Sequence, residues 1–341
     1  MKVLFDIVHP ADVLFFYHPI LTLKKSGHEI VIASRDKDIT LELLNALSLN
    51  NECLSKASSG IIGLALELLS RDWNMLSFSR KVKPDVMIGF GGISISHVGK
   101  LLGIPSISFY DTETAPLQHL VTLPFITEMH VPDCYTGKTA KNRTFRFKGQ
   151  KDFSYLHPEN FVVDKMLAKE VGYISNKPNF FLRVVAWNAN HDIGNSGWDL
   201  KTLRDFIGYL STLGVVHVSS ELPLPHDLKQ YQYKGEVHHI HHLLACCDAY
   251  IGESATMAGE AILVGTPAIC AANIKLGYTD ELERQGLLWN VTDVNYSTLI
   301  GAFESLGKSV QLDWHTKREC YLEDKPNLSE TVTQSILKYE K

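Results

Sequence analysis

The segment from Asp248 to Ile269 limits the folds open to this chain more than any other. A short apolar strand, Ala249–Ile251, runs into Gly252 and then Ser254-Ala255-Thr256, small residues that open a helix. The helix ends near Gly265, and Pro267 leads into a second apolar strand, Ala268–Ala271. A strand–turn–helix of this kind aims the free N–H groups of the first helical turn at whatever lies beyond it. Small side chains permit close approach, and the helix dipole favours negative charge, which suits phosphate. Glu260, one to two turns further on, could face the same site and accept hydrogen bonds from sugar hydroxyls. The same residues also fit an ordinary βαβ connection whose small side chains pack a helix on a sheet.

Strands and helices alternate elsewhere too. Val3–Val8 is an apolar strand broken only by Asp6, and a His9-Pro10-Ala11-Asp12 turn follows it. Leu14–Lys25 has helical periodicity and stops at Ser26-Gly27. Glu29–Ala33 reads as a strand and Thr40–Leu47 as a helix. Val86–Gly89 is the next strand, followed by Gly91-Gly92, a helix over Ser94–Leu102 and the strand Ser106–Tyr110. The pattern restarts with a strand at Asn179–Ala186, a helix at Leu200–Leu213, a strand at Val215–Ser219 and a short helix at Ile240–Cys247. Such alternation predicts an α/β chain with parallel, doubly wound sheets. It divides into a Rossmann-like domain over residues 1–160, a second over 175–325, and a terminal helix within 326–341, Leu328–Tyr339. Ligands of such sheets sit beyond the carboxyl ends of the strands.

The 341 residues favour two domains over one. With 45% hydrophobic residues against 21% charged ones, the chain has ample core for a soluble globular protein. A net charge of −5 gives no support for nucleic-acid binding. Cys53, Cys134, Cys246, Cys247, Cys270 and Cys320 show no metal or disulfide spacing and read as reduced thiols of a cytoplasmic protein. The first residues read as a strand carrying Asp6, not as a signal peptide, and no apolar run reaches spanning length.

The order Glu-Ser-Ala-Thr-x-x-x-Glu-Ala-x-x-x-Gly-x-Pro, from Glu253 to Pro267, resembles the donor-site motif of GT-B nucleotide-sugar enzymes. It is similar to that of the UDP-N-acetylglucosamine 2-epimerases and of a GT-B glycosyltransferase family related to them. The His9-Pro10-Ala11 and Asp111-Thr112-Glu113 triplets resemble the second family, so the likeness covers most of the chain. It implies a GT-B fold of two facing Rossmann-like domains, with the last helix crossing back to the first. It implies that Ser254, Ala255 and Thr256 contact phosphate and that Glu260 holds the ribose. The co-substrate implied is a nucleotide sugar, UDP-linked; no further cofactor is called for.

His9 follows the first strand, at its carboxyl end. Inverting glycosyl transfer needs a base to take the acceptor hydroxyl's proton, and histidine suits that near neutral pH. A histidine before proline also serves as a hydrogen-bonded loop residue. Relatives often carry a second histidine where this chain has Asp12, which could itself be the base or orient His9. Asp111 and Glu113 follow a strand and could bind acceptor hydroxyls or act as base; they equally suit a solvated turn. Arg183, in a strand, and His191, in the loop after it, could neutralise a departing diphosphate, though Arg183 could be paired inside the fold. His239 sits in the segment where relatives hold uracil, usually by backbone groups. The histidines at 238, 239, 241 and 242 point in different directions and lack companions for a zinc shell. No Asp-x-Asp near a strand end calls for a metal.

Residues 56–83 combine apolar positions, among them Ile61, Ile62, Leu66, Leu69 and Trp73, with flanking Lys56, Arg71, Arg80, Lys81 and Lys83. Such a stretch suits either peripheral contact with an anionic membrane or a core helix. The expected activity is metal-independent glycosyl transfer from a nucleotide sugar to a surface-glycan or lipid-linked acceptor. The alternatives are an epimerase-like isomerase and a nucleotide-sugar binding protein without catalysis. Epimerases usually have Arg-Pro in place of His9-Pro10 and Gly-Asp-Thr in place of Gly91-Gly92-Ile93, which weighs against the first alternative.

Overall fold

A computed structural model describes residues 1–113, 115–185, 198–273 and 276–340. The chain forms two compact units, Met1–Asn160 with Pro326–Lys341, and Phe161–Lys325.

The first unit begins β1 (Lys2–Ile7), α1 (Pro10–Lys25), β2 (Glu29–Asp36), α2 (Thr40–Ala46), β3 (Glu52–Lys56), α3 (Gly60–Val82), β4 (Val86–Phe90), α4 (Ile93–Leu102) and β5 (Ser106–Phe109). It continues through α5 (Pro116–Thr122), β6 (Glu128–Pro132) and β7 (Thr144–Phe147). All pairs are parallel, in the order β3-β2-β1-β4-β5-β6-β7. Parallel strands covered on both faces must be apolar nearly throughout, and Val3, Leu4, Phe5 and Ile7 of β1 are fully buried. The exception is Asp6, whose carboxylate meets the Arg71 guanidinium of α3. Arg71 also donates to the Ser34 carbonyl at 3.0 Å, so the buried charges are paired and hydrogen-bonded.

α1 starts four residues earlier than its apolar periodicity suggests. The expected His9-Pro10-Ala11-Asp12 turn is in fact the helix's N-cap and first turn. Proline is tolerated there because its missing N–H would have no intrahelical partner.

In the second unit, α6 (Lys165–Glu170) precedes β8 (Asn179–Val184), α7 (Leu200–Leu213), β9 (Val215–Ser220), α8 (Ile240–Leu244), β10 (Ala249–Gly252), α9 (Ala255–Val264) and β11 (Ala268–Cys270). The remainder is α10 (Gly277–Arg284), β12 (Leu288–Asn290), α11 (Tyr296–Leu312) and α12 (Trp314–Glu323). Its sheet, again parallel, has the order β12-β11-β10-β8-β9. Leu182, Val218, Ile251 and Ile269 from the strands pack with Phe206, Leu210 and Leu299 from the helices.

The last helix, α13 (Leu328–Leu337), belongs to the first unit. Asn160 donates to Asn327 Oδ1 at 2.8 Å, just ahead of the helix, and Tyr339 donates to Glu128 at 2.7 Å just after it. Cys247 and Cys270 are buried, whereas Cys53 and Cys320 are exposed. Among the described residues, no helix is long and apolar enough to cross a membrane.

Candidate functional site

Each sheet reverses its winding at one place, and that is where an open α/β sheet offers a crevice beyond its strand ends. In the first unit the reversal lies between β1 and β4. His9 and Asp12 follow β1, and Gly91 and Gly92 follow β4.

His9 caps α1: its Nδ1 accepts the Ala11 N–H at 3.2 Å. Asp12 completes a capping box, its Oδ2 accepting the N–H groups of His9 at 2.9 Å and Val8 at 3.0 Å. Withdrawal from water, then the charges of Lys37 and Lys151, lower the His9 pKa to about 4, so the ring is neutral at physiological pH. An acceptor nitrogen at Nδ1 places the neutral ring's proton on Nε2. Burial pushes the Asp12 pKa up to about 7 against the pull of its two backbone hydrogen bonds. Asp12 therefore holds the backbone that carries His9.

Gly91 and Gly92 adopt φ of +79° and +54°, a left-handed turn that opens α4. Asp111 is buried, with its Oδ2 2.9 Å from the Lys151 ammonium and its Oδ1 accepting from the Thr112 hydroxyl at 3.1 Å. Glu113 is half-buried. Burial, then the charges of Asp111 and Glu113, hold the Tyr110 phenol above its ordinary value.

Lys151 was not singled out from the sequence, although it binds the group together. It pairs with Asp111, lies 5.5 Å from the centre of the Phe90 ring at the end of β4, and bears electrostatically on both His9 and Asp12. It stands in a 3-10 turn, Lys151–Ser154, within a stretch without periodicity, so only the fold reveals its position.

The second unit's reversal falls between β8 and β10. Gly252 ends β10 where a Cβ would come within 2.5 Å of the Arg183 carbonyl oxygen, so only glycine lets the strands pair this closely. The Ser254 hydroxyl accepts the Met257 N–H at 3.2 Å and so caps α9. With that donor taken, the amides of Ala255 and Thr256 are the ones the helix end presents. Ala255 is buried and Thr256 half-buried. The Ser254 carbonyl accepts from the Tyr250 hydroxyl at 3.0 Å, which fixes the turn.

Glu253 begins the motif but had no role assigned from sequence. Its carboxylate accepts the N–H groups of Val185 at 2.6 Å and Trp198 at 3.2 Å. It thus ties together the two backbone points that bracket 186–197. His191 falls within that interval, outside the described residues.

Glu260 is buried, 3.2 Å from the Nε2 atom of His241 in α8. Arg183 is paired within the unit, donating to Ser219 Oγ at 2.7 Å and Glu221 at 2.9 Å. His239 lies in the 3-10 turn Val237–His239 against the ring of His238, with centroids 4.1 Å apart. His242 stacks on Phe161 and accepts the Asp164 N–H at 3.0 Å. The rings of His238, His239 and His242 thus neighbour one another, contrary to the divergent directions expected from the sequence, whereas His241 turns to Glu260.

Two parallel sheets of these orders, each with small or capping residues beyond its reversal point, define a GT-B fold. The chain belongs to the family described as "Protein of unknown function (DUF354)", which matches residues 1–306. UDP-GlcNAc 2-epimerase from Neisseria meningitidis, solved bound to UDP-GlcNAc, is similar with a TM-score of 0.70 and 12% identity, covering 99% of this chain and 100% of that one. The spinosyn forosaminyltransferase SpnP is similar with a TM-score of 0.64 and 14% identity over 100% of both chains. MurG from Acinetobacter baumannii gives 0.62 and 13%, over 99% of this chain and 100% of its own. At such identities the likeness establishes fold. No protein of curated function matches the chain in sequence.

Proposed function

We propose that the chain is a metal-independent, inverting glycosyltransferase that moves a sugar from a UDP-linked donor to a surface-glycan or lipid-linked acceptor. The observation that carries this is the end of β10. Gly252 allows close backbone approach, Ser254 caps the helix, and the Ala255 and Thr256 amides remain for an anion at the positive end of α9. Both transferases and epimerases occur among the structural neighbours, and those named for UDP or UDP-GlcNAc complexes support a uridine nucleotide. In this proposal Glu260 accepts the ribose hydroxyls beside His241, and His239 contributes to the base pocket. His191 and Arg183 neutralise the departing diphosphate in the same proposal, Arg183 while it also pairs with Glu221.

On the first unit, His9 takes the acceptor hydroxyl's proton, with Asp12 fixing its backbone and Asp111 and Glu113 holding acceptor hydroxyls. A base at Nε2 requires the tautomer with its proton on Nδ1, which gives up the cap to Ala11 at a cost of about 1 kcal/mol. General-base assistance contributes roughly 10²–10⁴ in rate, so that cost does not exclude the role.

His9→Ala should abolish transfer while leaving UDP binding nearly intact, and Glu260→Ala should weaken UDP binding by calorimetry. Full turnover in His9→Ala would remove the base assignment. A thermal-shift screen of UDP, GDP, CMP and dTDP sugars fixes the nucleotide, because a ligand raises the melting temperature by mass action. Conversion of UDP-N-acetylglucosamine to its 2-epimer without acceptor would overturn the transferase in favour of the isomerase.

A further inference from the structure

The amino-terminal half of α3 is packed inside out. Its charged residues face the sheet: Glu67 pairs with Arg35 of β2, donated to at 2.8 Å, and Arg71 pairs with Asp6 of β1. Its apolar residues face solvent. Ile62, Leu66, Leu69 and Trp73 are 77%, 63%, 68% and 70% exposed. At 3.6 residues per turn these four fall within an arc of about 60°, opposite the Glu67–Arg71 face. Further along, Met75 is fully buried with Leu76, Phe78 and Val82 packed around the same cluster, so the inversion is confined to the first half. A stripe this ordered differs from the singly scattered apolar residues of ordinary surfaces.

The charge pattern indicates what covers it. Arg80 continues the line of the stripe, and Lys81 and Lys83 follow; all three are exposed. The helix's two acids, Glu67 and Asp72, are engaged with Arg35 and His97. An apolar stripe ending in cations, with its acids neutralised on other faces, matches a helix lying in the headgroup region of an anionic bilayer. We infer that α3 is a peripheral docking surface for anionic membrane, seating Ile62, Leu66, Leu69 and Trp73 at the acyl boundary and Arg80, Lys81 and Lys83 among phosphate headgroups. This goes beyond the nucleotide-sugar proposal and does not depend on it.

The test uses the full chain without nucleotide and phosphatidylcholine vesicles with or without about a third of phosphatidylglycerol. The protein should co-sediment with the anionic vesicles, and brominated acyl chains should quench Trp73 emission, a signal lost in Trp73→Phe. Partition should fall at least about tenfold in Leu66→Ser/Leu69→Ser and in Arg80→Glu/Lys81→Glu, and it should weaken with salt. These positions are exposed, and circular dichroism checks that the variants stay folded. Equal partition into neutral vesicles, or none into either, overturns the inference. So does a concentration-dependent dimer abolished by Leu66→Ser/Leu69→Ser in a protein that ignores vesicles, because the stripe would then be covered by a second copy.

Discussion

Replacing Asp12 by asparagine should stabilise the protein at high pH and leave it nearly unchanged at low pH. Asp12 is 4% exposed, and burial raises its pKa from 3.8 to about 7. Because the native value exceeds the unfolded one, the native state keeps a proton the unfolded chain has already released between those limits. Native stability therefore falls as pH rises through that window, by about 1.4 kcal/mol per pH step, and is constant above it. Some three steps give about 4 kcal/mol. The Asp12→Asn amide retains an oxygen to accept from Val8 and His9 but has no charge to desolvate. Its loss of the helix-dipole interaction costs about 0.3–1 kcal/mol, which leaves a gain of about 3 kcal/mol at pH 8. Urea titrations of both proteins at pH 4 and pH 8, followed by circular dichroism, measure the difference, and every other titrating group cancels in it. A gap between variant and parent that is the same at both pH values would refute the placement of a desolvated carboxyl at this cap.

Arg71→Met leaves Asp6 charged, buried and unpaired, and should cost about 3–5 kcal/mol in urea denaturation; adding Asp6→Leu should restore most of it. Gly252→Ala brings a methyl to within 2.5 Å of the Arg183 carbonyl oxygen and should force β10 away from β8. It should lower the melting temperature and, under the proposed function, weaken UDP binding more than about tenfold by calorimetry. Unchanged stability would show that β8 and β10 do not need this close approach.

The order of elements was legible where strands are apolar and flanked by glycine or proline. β1, β4, β5, β8 and β10 are of this kind, because burial on both faces of a parallel sheet leaves little room for polar residues. β6 and β7 were not identified: Glu128-Met129-His130 and Thr144-Phe145-Arg146 mix charged and polar residues with short apolar runs, although β6 is buried from Met129 to Pro132 and only the edge strand β7 exposes Phe145 and Arg146. The Asp248–Ile269 segment announced its strand–turn–helix because Gly252, Ser254 and Gly265 each meet a backbone requirement that few residue types satisfy. Lys151, His241 and Glu253 were invisible as partners for the opposite reason. A lysine, a histidine or a glutamate has no local signature, and their roles arise from segments 19 to 68 residues distant being folded against them. The facing of α3 stayed open on similar grounds. Periodicity marks an amphipathic helix but not which face turns inward, and here the ion pairs with β1 and β2 decided it.

Placing α13 beside α1 has a consequence for how the protein is made. The ribosome delivers β1 through β7 first, then every strand of the second sheet, and only afterwards the segment that covers α1. The carboxyl-terminal unit has all its strands before the amino-terminal one receives its final helix, so the half synthesised earliest is completed last. A fragment stopping at Asn160 would leave the α1 surface bare, and Val332 and Ile336, fully buried in the whole protein, would be missing from it.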